Sequence, residues 1–268
     1  MKIGLIGAGN MASALLGGML NAKIIQPGDA VISDMNEQKL KKWQEIGVTV
    51  TTDNQEAERL ADILILAVKP NVMERVLNQL AGDKNKIYVS IAAGITLSYL
   101  EKHLGADQKI VRTMPNTPAQ VGCGMTVVVP NDNLDAAERE TVLSLLQSVG
   151  MALCMSEKEL DIAIALHSSS PAYIYMLIDA MADAGVRYGL TKENALKLAA
   201  KAVEGSAKMV LETGIHPEQL KDNVCSPGGT TIAAVCELER TGFRTSIQSG
   251  IDACIRRNRE MQQEFKKI

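Results

Sequence analysis

Aromatic residues are scarce in this 268-residue sequence: one tryptophan, two phenylalanines and five tyrosines, 3% of the chain. The 46% hydrophobic content is therefore carried by Ala, Val, Ile, Leu and Met, which suits closely packed helices and buried parallel strands. Paired cysteines are missing too. Cys123, Cys154, Cys225, Cys236 and Cys254 are an odd, scattered set without a CxxC spacing. That pattern argues against a disulfide framework and against a zinc site, and it points to a reducing compartment. Small buried apolar side chains are the simpler reading of all but Cys225, which sits in a loop of interest. No apolar run approaches membrane-spanning length, and the chain opens on a strand pattern rather than a charged leader. A cytoplasmic location is the expectation. The net charge of -3 offers no pull towards nucleic acid. No metal site is expected.

What is present is an alternation. Short apolar runs at Lys2–Ile6, Ala30–Ser33, Gly47–Val50, Ile63–Ala67, Lys86–Ile91, Lys109–Thr113, Met125–Val129 and Met151–Met155 read as strands. Several are apolar throughout, as strands covered on both faces must be. Helix patterns lie between them near residues 10–21, 36–45, 54–61, 70–81, 96–104 and 134–149. This order predicts an α/β fold: a Rossmann-type, doubly wound, mostly parallel sheet over residues 1–156. Residues 157–268 carry no strand pattern and predict an all-α second domain. Lys158–Ala165 and Pro171–Tyr188 read as helices, and Thr191 as the N-cap of a helix ending before Gly214. Residues 195–211 (ALKLAAKAVEGSAKMVL) have small or apolar residues around most of the helix circumference. Such a helix needs cover beyond its own small domain, so a subunit interface is expected there.

Residues 3–12, IGLIGAGNMA, place Gly7-x-Gly9-x-x-Ala12 between a strand and an amphipathic helix. Gly7 permits the tight turn, Gly9 lets the backbone approach a pyrophosphate, and Ala12 allows close helix–strand packing. The flanking strand and helix raise this motif well above a lone glycine pattern. Asp34, at the end of the second strand, has two readings. It is placed to accept the ribose hydroxyls of NAD and repel a 2′-phosphate. Equally, Ser33-Asp34-Met35-Asn36 reads as a polar turn capping the next helix. Lys39, Lys41 and Lys42 would offset a phosphate, so both NADH and NADPH stay open as coenzymes. Val68-Lys69-Pro70 and Ala92-Ala93-Gly94 follow strand ends on the edge where a dinucleotide lies.

In the second half, Asp222-Asn223-Val224-Cys225-Ser226-Pro227-Gly228-Gly229-Thr230-Thr231 precedes a helix. Exposed glycine amides and threonine hydroxyls at a helix N-terminus form an anion site suited to a small carboxylate. A Pro-Gly turn with a threonine N-cap explains only part of that run. The second feature is His167-Ser168-Ser169-Ser170-Pro171, a hydroxyl-rich helix opening. Alcohol oxidation wants a positioned base, usually His or Lys, yet no lysine lies between Lys158 and Lys192. His103 and His216 read as solvated, and only His167 stands near candidate site residues. A protonated imine is already an electrophile, so C=N reduction fits a site that orients rather than ionises its substrate.

With those residues in view, the sequence resembles the pyrroline-5-carboxylate reductases. The matching segments are IGAGNMA (6–12), AVKP (67–70), SIAAGITL (90–97), RTMPNTP (112–118), the 205–235 stretch through CSPGGTTIAAV, and GFR (242–244). The resemblance implies NAD(P)H-dependent reduction of 1-pyrroline-5-carboxylate to L-proline in a homodimer, with rings of dimers common in the family. It implies dinucleotide contacts from Ile6, Gly7, Ala8, Gly9, Asn10, Met11, Asn54, Ala67, Val68, Lys69, Pro70, Ala92, Ala93 and Gly94. It implies that Asn223, Gly229, Thr230 and Thr231 hold the substrate, Thr231 hydrogen-bonding the ring nitrogen as the candidate catalytic residue. Two departures stand out. Ser168 and Ser170 replace glycines of the family turn, and Asp34 replaces a neutral residue near the adenosine ribose. A reductase of another small cyclic imine or hydroxyacid, and a non-catalytic dinucleotide-binding dimer, are the alternative readings.

Overall fold

A computed structural model of the chain describes residues 1–266. Eight strands form one sheet: β1 (Ile3–Ile6), β2 (Ala30–Ser33), β3 (Thr49–Thr51), β4 (Ile63–Leu66), β5 (Ile87–Ser90), β6 (Lys109–Met114), β7 (Gly124–Pro130) and β8 (Gly150–Cys154). Their order is β3-β2-β1-β4-β5-β6-β7-β8. Neighbours run parallel except β6 and β7, which are antiparallel. Helices α1 (Asn10–Asn21), α2 (Glu37–Glu45), α3 (Asn54–Leu60), α4 (Pro70–Leu77), α5 (Leu97–Leu104) and α6 (Ala136–Gln147) alternate with them. The expected Rossmann-type sheet is therefore present.

Strand alternation sorts the apolar side chains onto two faces. Ile3, Leu5, Ile63, Ile65 and Val89 pack with Leu15, Leu16 and Met19 of α1 and with α2 and α6. Ile6, Leu64, Leu66 and Tyr88 pack with Met73 and Val76 of α4 and with α3 and α5. Burial on both sides is what the near-continuous apolar runs required. Order reverses at β1, whose neighbours are β2 and β4 in matched register (Ile3 opposite both Ala30 and Ile63). Crossovers leaving in opposite directions part there and open a crevice at the strands' carboxyl ends.

The chain divides into two compact units. Residues 1–169, together with the chain from Cys254 onward, form one; Ser170–Ala253 forms the other. The first unit includes α7 (Glu157–Ala163), whose N-cap Ser156 makes a reciprocal box with Glu159. A π-type turn, Ile164–Ser168, follows it. The second unit is helical: α8 (Ser170–Arg187), α9 (Lys192–Thr213), α10 (Pro217–Val224), α11 (Thr230–Arg240) and the start of α12 (Phe243–Lys266). Thr191 caps α9 by accepting from the Asn194 amide, and Gly214 ends it in the left-handed conformation. Ala182, Ala195 and Ala199 are buried where α8 meets α9, while Leu198, Met209 and Leu211 stay exposed in the single chain.

The antiparallel β7 has a local cause. Only nine residues separate it from β6, too few for a crossover helix. The helix read over 70–81 stops at Leu77. Beyond it the amides of Ala81 and Gly82 donate to the buried Glu58 carboxylate rather than continuing a helical ladder. Among the described residues no helix is long and apolar enough to cross a membrane.

Candidate functional site

The turn after β1 is pinned from both sides. Gly7 donates to the Ser33 carbonyl at 2.7 Å and has φ +100°. A Cβ there would lie 2.6 Å from the Ala67 carbonyl oxygen, so no side chain fits. Gly9 forms the N-cap of α1 without any side-chain capping bond, and the space above its Cα is open. The first amides of α1 therefore face an unobstructed space with the positive end of the helix dipole behind them, as a pyrophosphate requires. On this test a dinucleotide fits.

A cleft of about 660 Å³ extends from this turn. Ile6, Gly7, Gly9, Asp34, Asn54, Ala67, Val68 and Lys69 line it, so the structure gathers eight of the expected coenzyme contacts into one space. Ala8, Asn10, Met11 and Pro70 border those residues without lining the cleft. Ala92, Ala93 and Gly94 lie after β5, on the same carboxyl edge but outside the cleft. The amide of Ala92 approaches the Ser90 hydroxyl at 3.4 Å, and Gly94 has φ +78° before Thr96 caps α5. Sequence reasoning missed the wall formed by Val72, Arg75 and Val76 of α4 and by Gln79 just beyond its end. Val72, Arg75 and Val76, spaced i, i+3 and i+4, share one helix face, and that periodicity was the available signal.

The Asp34 carboxylate holds two backbone amides. Its Oδ2 accepts from the Ala8 amide at 2.8 Å and its Oδ1 from the Asn36 amide at 2.9 Å. Lys39 Nζ stands 3.5 Å from Oδ2. The cap of α2 is Asn36, accepting from Gln38, and not Ser33 or Asp34. The carboxylate thus braces the glycine turn while lining the cleft.

In the helical unit, α11 begins at Thr230 with Gly229 as a bare N-cap. A Cβ on Gly229 would stand 2.3 Å from Ser226 Oγ, so a side chain there would have to displace that hydroxyl. Neither threonine serves as the cap, which removes that simpler reading of the run. Asn223 and Thr231 share a pocket of about 510 Å³ with Met209, Val210 and Leu220, whereas Gly229 and Thr230 stand at the helix opening outside it. Asn223 Oδ1 accepts from Gln219 Nε2 at 3.0 Å.

The histidines are occupied. His216 caps α10 by accepting from the Glu218 amide, and His103 Nδ1 lies 2.8 Å from the Tyr99 carbonyl. His167 has Nδ1 2.7 Å from the Ala163 carbonyl and Nε2 2.8 Å from the Met114 carbonyl. It joins the π-type turn to the end of β6. Lys23 is the only described non-glycine residue with positive φ, so Ser168 and Ser170 take backbone conformations that need no glycine.

A charged junction that no motif announced joins β6 to α7. Arg112, at 2% side-chain exposure, pairs with Glu157 at 2.7 Å and Asp161 at 2.8 Å. Glu157 also accepts from the Leu97 amide, and Asp161 from Gln262 of α12.

A Rossmann-type sheet with an open glycine turn, joined in sequence to a separate helical unit, defines the class: a nicotinamide-dinucleotide oxidoreductase. Comparison with known proteins narrows it. Residues 157–261 match the family described as pyrroline-5-carboxylate reductase dimerisation, and residues 2–94 match NADP oxidoreductase coenzyme F420-dependent. The pyrroline-5-carboxylate reductase of Escherichia coli is 44% identical over 263 residues, covering 97% of this chain and 98% of that protein. That of Arabidopsis thaliana is 40% identical, covering 98% and 96%. The Plasmodium falciparum pyrroline carboxylate reductase, solved with NADP bound, superposes with a TM-score of 0.89 at 33% identity, covering 98% of each chain. The Coxiella burnetii enzyme gives a TM-score of 0.90 at 34% identity, covering 97% and 98%. The chain belongs to the pyrroline-5-carboxylate reductase family.

Proposed function

We propose that the chain reduces the C=N bond of 1-pyrroline-5-carboxylate to L-proline, with NADPH or NADH as hydride donor. The observation that carries this reading is the uncapped α11 N-terminus, with the Thr230 and Thr231 hydroxyls beside it, in a member of this family. The substrate carries a carboxylate next to a ring imine. Free amides at the start of α11 and the Thr230 hydroxyl hold the carboxylate through charge-assisted hydrogen bonds. Thr231 donates to or orients the ring nitrogen, and Asn223 fixes the ring. The bound coenzyme supplies the hydride at the imine carbon. The nitrogen is protonated before transfer, so the chain need not provide a strong base there, in keeping with histidines already engaged elsewhere.

The coenzyme contacts are Ile6 to Met11, Asp34, Asn54, Ala67 to Pro70, and Ala92 to Gly94. The functional division follows residue 156: a dinucleotide-binding domain, then a substrate and dimerisation domain. Exposed Leu198, Met209 and Leu211 on α9 and the family's dimerisation match support a homodimer built on that helix, with rings of dimers as the higher assembly. A cytoplasmic location agrees with unpaired cysteines. Mixing purified protein, 1-pyrroline-5-carboxylate and NADPH or NADH tests the reading, by loss of the reduced-nicotinamide absorbance. Turnover with at least one coenzyme is expected. None with either would overturn it and leave a dinucleotide-binding dimer.

A further inference from the structure

We propose that Gln79 is a positioning residue for the coenzyme site, fixing the Asn54 amide so that its nitrogen faces the adenosine half as a donor. This rests on the reading of Asn54 as a coenzyme contact. The argument begins at Ser33, which is fully buried at the end of β2. Its hydroxyl has one side-chain partner, Asn54 Oδ1, at 2.7 Å. A buried hydroxyl hydrogen left without an acceptor is costly, so Ser33 must donate and Asn54 must present its oxygen to it. The Asn54 nitrogen then points the other way, where it donates to Gln79 Oε1 at 2.7 Å. The polarity of the whole relay, Ser33 to Asn54 to Gln79, follows from its buried end.

Gln79 is well placed to hold the outer end. Its backbone is fixed twice, its amide donating to Val76 and its carbonyl accepting from Gln55 Nε2 at 2.9 Å. The side chain thus reaches Asn54 from a fixed origin, even though the residue itself is exposed. An amide nitrogen carries two hydrogens. With one committed to Gln79, the other is held in a fixed direction at the cleft that both residues line. Acceptor atoms of a ribose or its phosphate are the groups it suits. Without Gln79, the Asn54 amide would have to be ordered at the moment of coenzyme binding, which weakens that binding.

The test compares coenzyme affinity across variants of the full chain, read by quenching of reduced-nicotinamide fluorescence. Gln79→Met keeps the side chain's length and removes the acceptor. It should raise the NADH Kd about three- to tenfold, the size of one lost neutral hydrogen bond, with kcat and the KM for the imine unchanged. Gln79→Glu keeps an acceptor for Asn54 and should restore NADH binding to within twofold. Asn78→Ala alters the exposed neighbour that lies outside the cleft and should leave the NADH Kd unchanged. A Gln79→Met Kd equal to that of the parent, or an equal rise in Asn78→Ala, overturns the proposal. Asn54→Ala separates the underlying reading. If it also leaves the Kd unchanged, Asn54 is no coenzyme contact. If it weakens binding while Gln79→Met does not, only the role given to Gln79 fails.

Discussion

Replacing Asp34 by serine removes a carboxylate that lines the coenzyme cleft while binding the Ala8 and Asn36 amides and facing Lys39. The change acts on coenzyme choice through two terms of opposite target. A 2′-phosphate of charge near −2, about 5 Å from the carboxylate in an effective dielectric of about 40–80, is repelled by about 1.7–3.3 kcal/mol. Lys39, 3.5 Å from the same carboxylate, offsets about half of that, leaving roughly 1–1.6 kcal/mol against NADPH. NADH meanwhile loses a ribose hydroxyl's hydrogen bond to a charged acceptor, about 1.5 kcal/mol. The braces to Ala8 and Asn36 are lost whichever coenzyme binds, so they cancel from a ratio. The quotient of kcat/KM for NADPH over that for NADH should therefore rise by about two orders of magnitude. Steady-state kinetics with both coenzymes at saturating imine measures it. A change of less than threefold would mean that Asp34 serves the turn alone, and the adenosine ribose lies elsewhere.

Three further outcomes are expected. Thr231→Ala should lower kcat about ten- to a hundredfold, as for one lost orienting donor, with Thr231→Ser recovering most of it; parental kinetics in the alanine variant would remove Thr231 from the reaction. Arg112→Met leaves Glu157 and Asp161 unpaired, and because both carboxylates keep some solvent contact the cost is about 2–4 kcal/mol. Its Tm by calorimetry should fall about 5–10 °C, and a shift under one degree would count against the junction. Burial, then the bond to Glu58, pushes the Tyr88 phenol above its ordinary value of 10.0. The folded chain thus keeps that proton after the unfolded chain has lost it, so this stabilisation is complete below pH about 10 and falls above it by at most about 1.4 kcal/mol per pH unit. Urea midpoints at pH 9 and 11 should show a smaller alkaline loss in Tyr88→Phe than in the parent, and identical losses would refute the assignment.

Most of the sheet was legible because its inner strands are covered on both faces and so are apolar almost throughout, unlike the partly exposed edge strands β3 and β8. Ile63–Leu66 and Ile3–Ile6 need no partner to be recognised. What escaped the sequence depends on contacts across the fold. The π-type turn over Ile164–Ser168 is one case: its backbone slips where His167 reaches the Met114 carbonyl, a residue 53 positions away. The end of α4 is another, set by Glu58, whose carboxylate takes the two amides that would otherwise extend a helix. Within the site, the glycine turn announced itself by residue type, since only glycine fits under the Ala67 carbonyl. Arg75 and Gln79 did not, because an exposed polar residue on an amphipathic helix, or just past its end, is usually no more than a solvated face.

The same contrast bears on how the two anion sites are built. Gly9 before α1 and Gly229 before α11 are both bare N-caps, neither receiving a side-chain capping bond. Most other helices start on a capping side chain, among them Asn36, Asp53, Thr96, Asp135, Ser156 and Thr191, while Lys69 before α4 is also bare. A glycine start leaves stability unclaimed, on the order of a few tenths of a kcal/mol per helix relative to a capping serine. A side-chain oxygen at position 9 or 229 would recover it and occupy the amides that a phosphate or carboxylate needs. Gly9→Ser should accordingly raise the protein's Tm while weakening coenzyme binding. A serine variant that binds coenzyme as tightly as the parent would show that the α1 amides are not where the pyrophosphate sits.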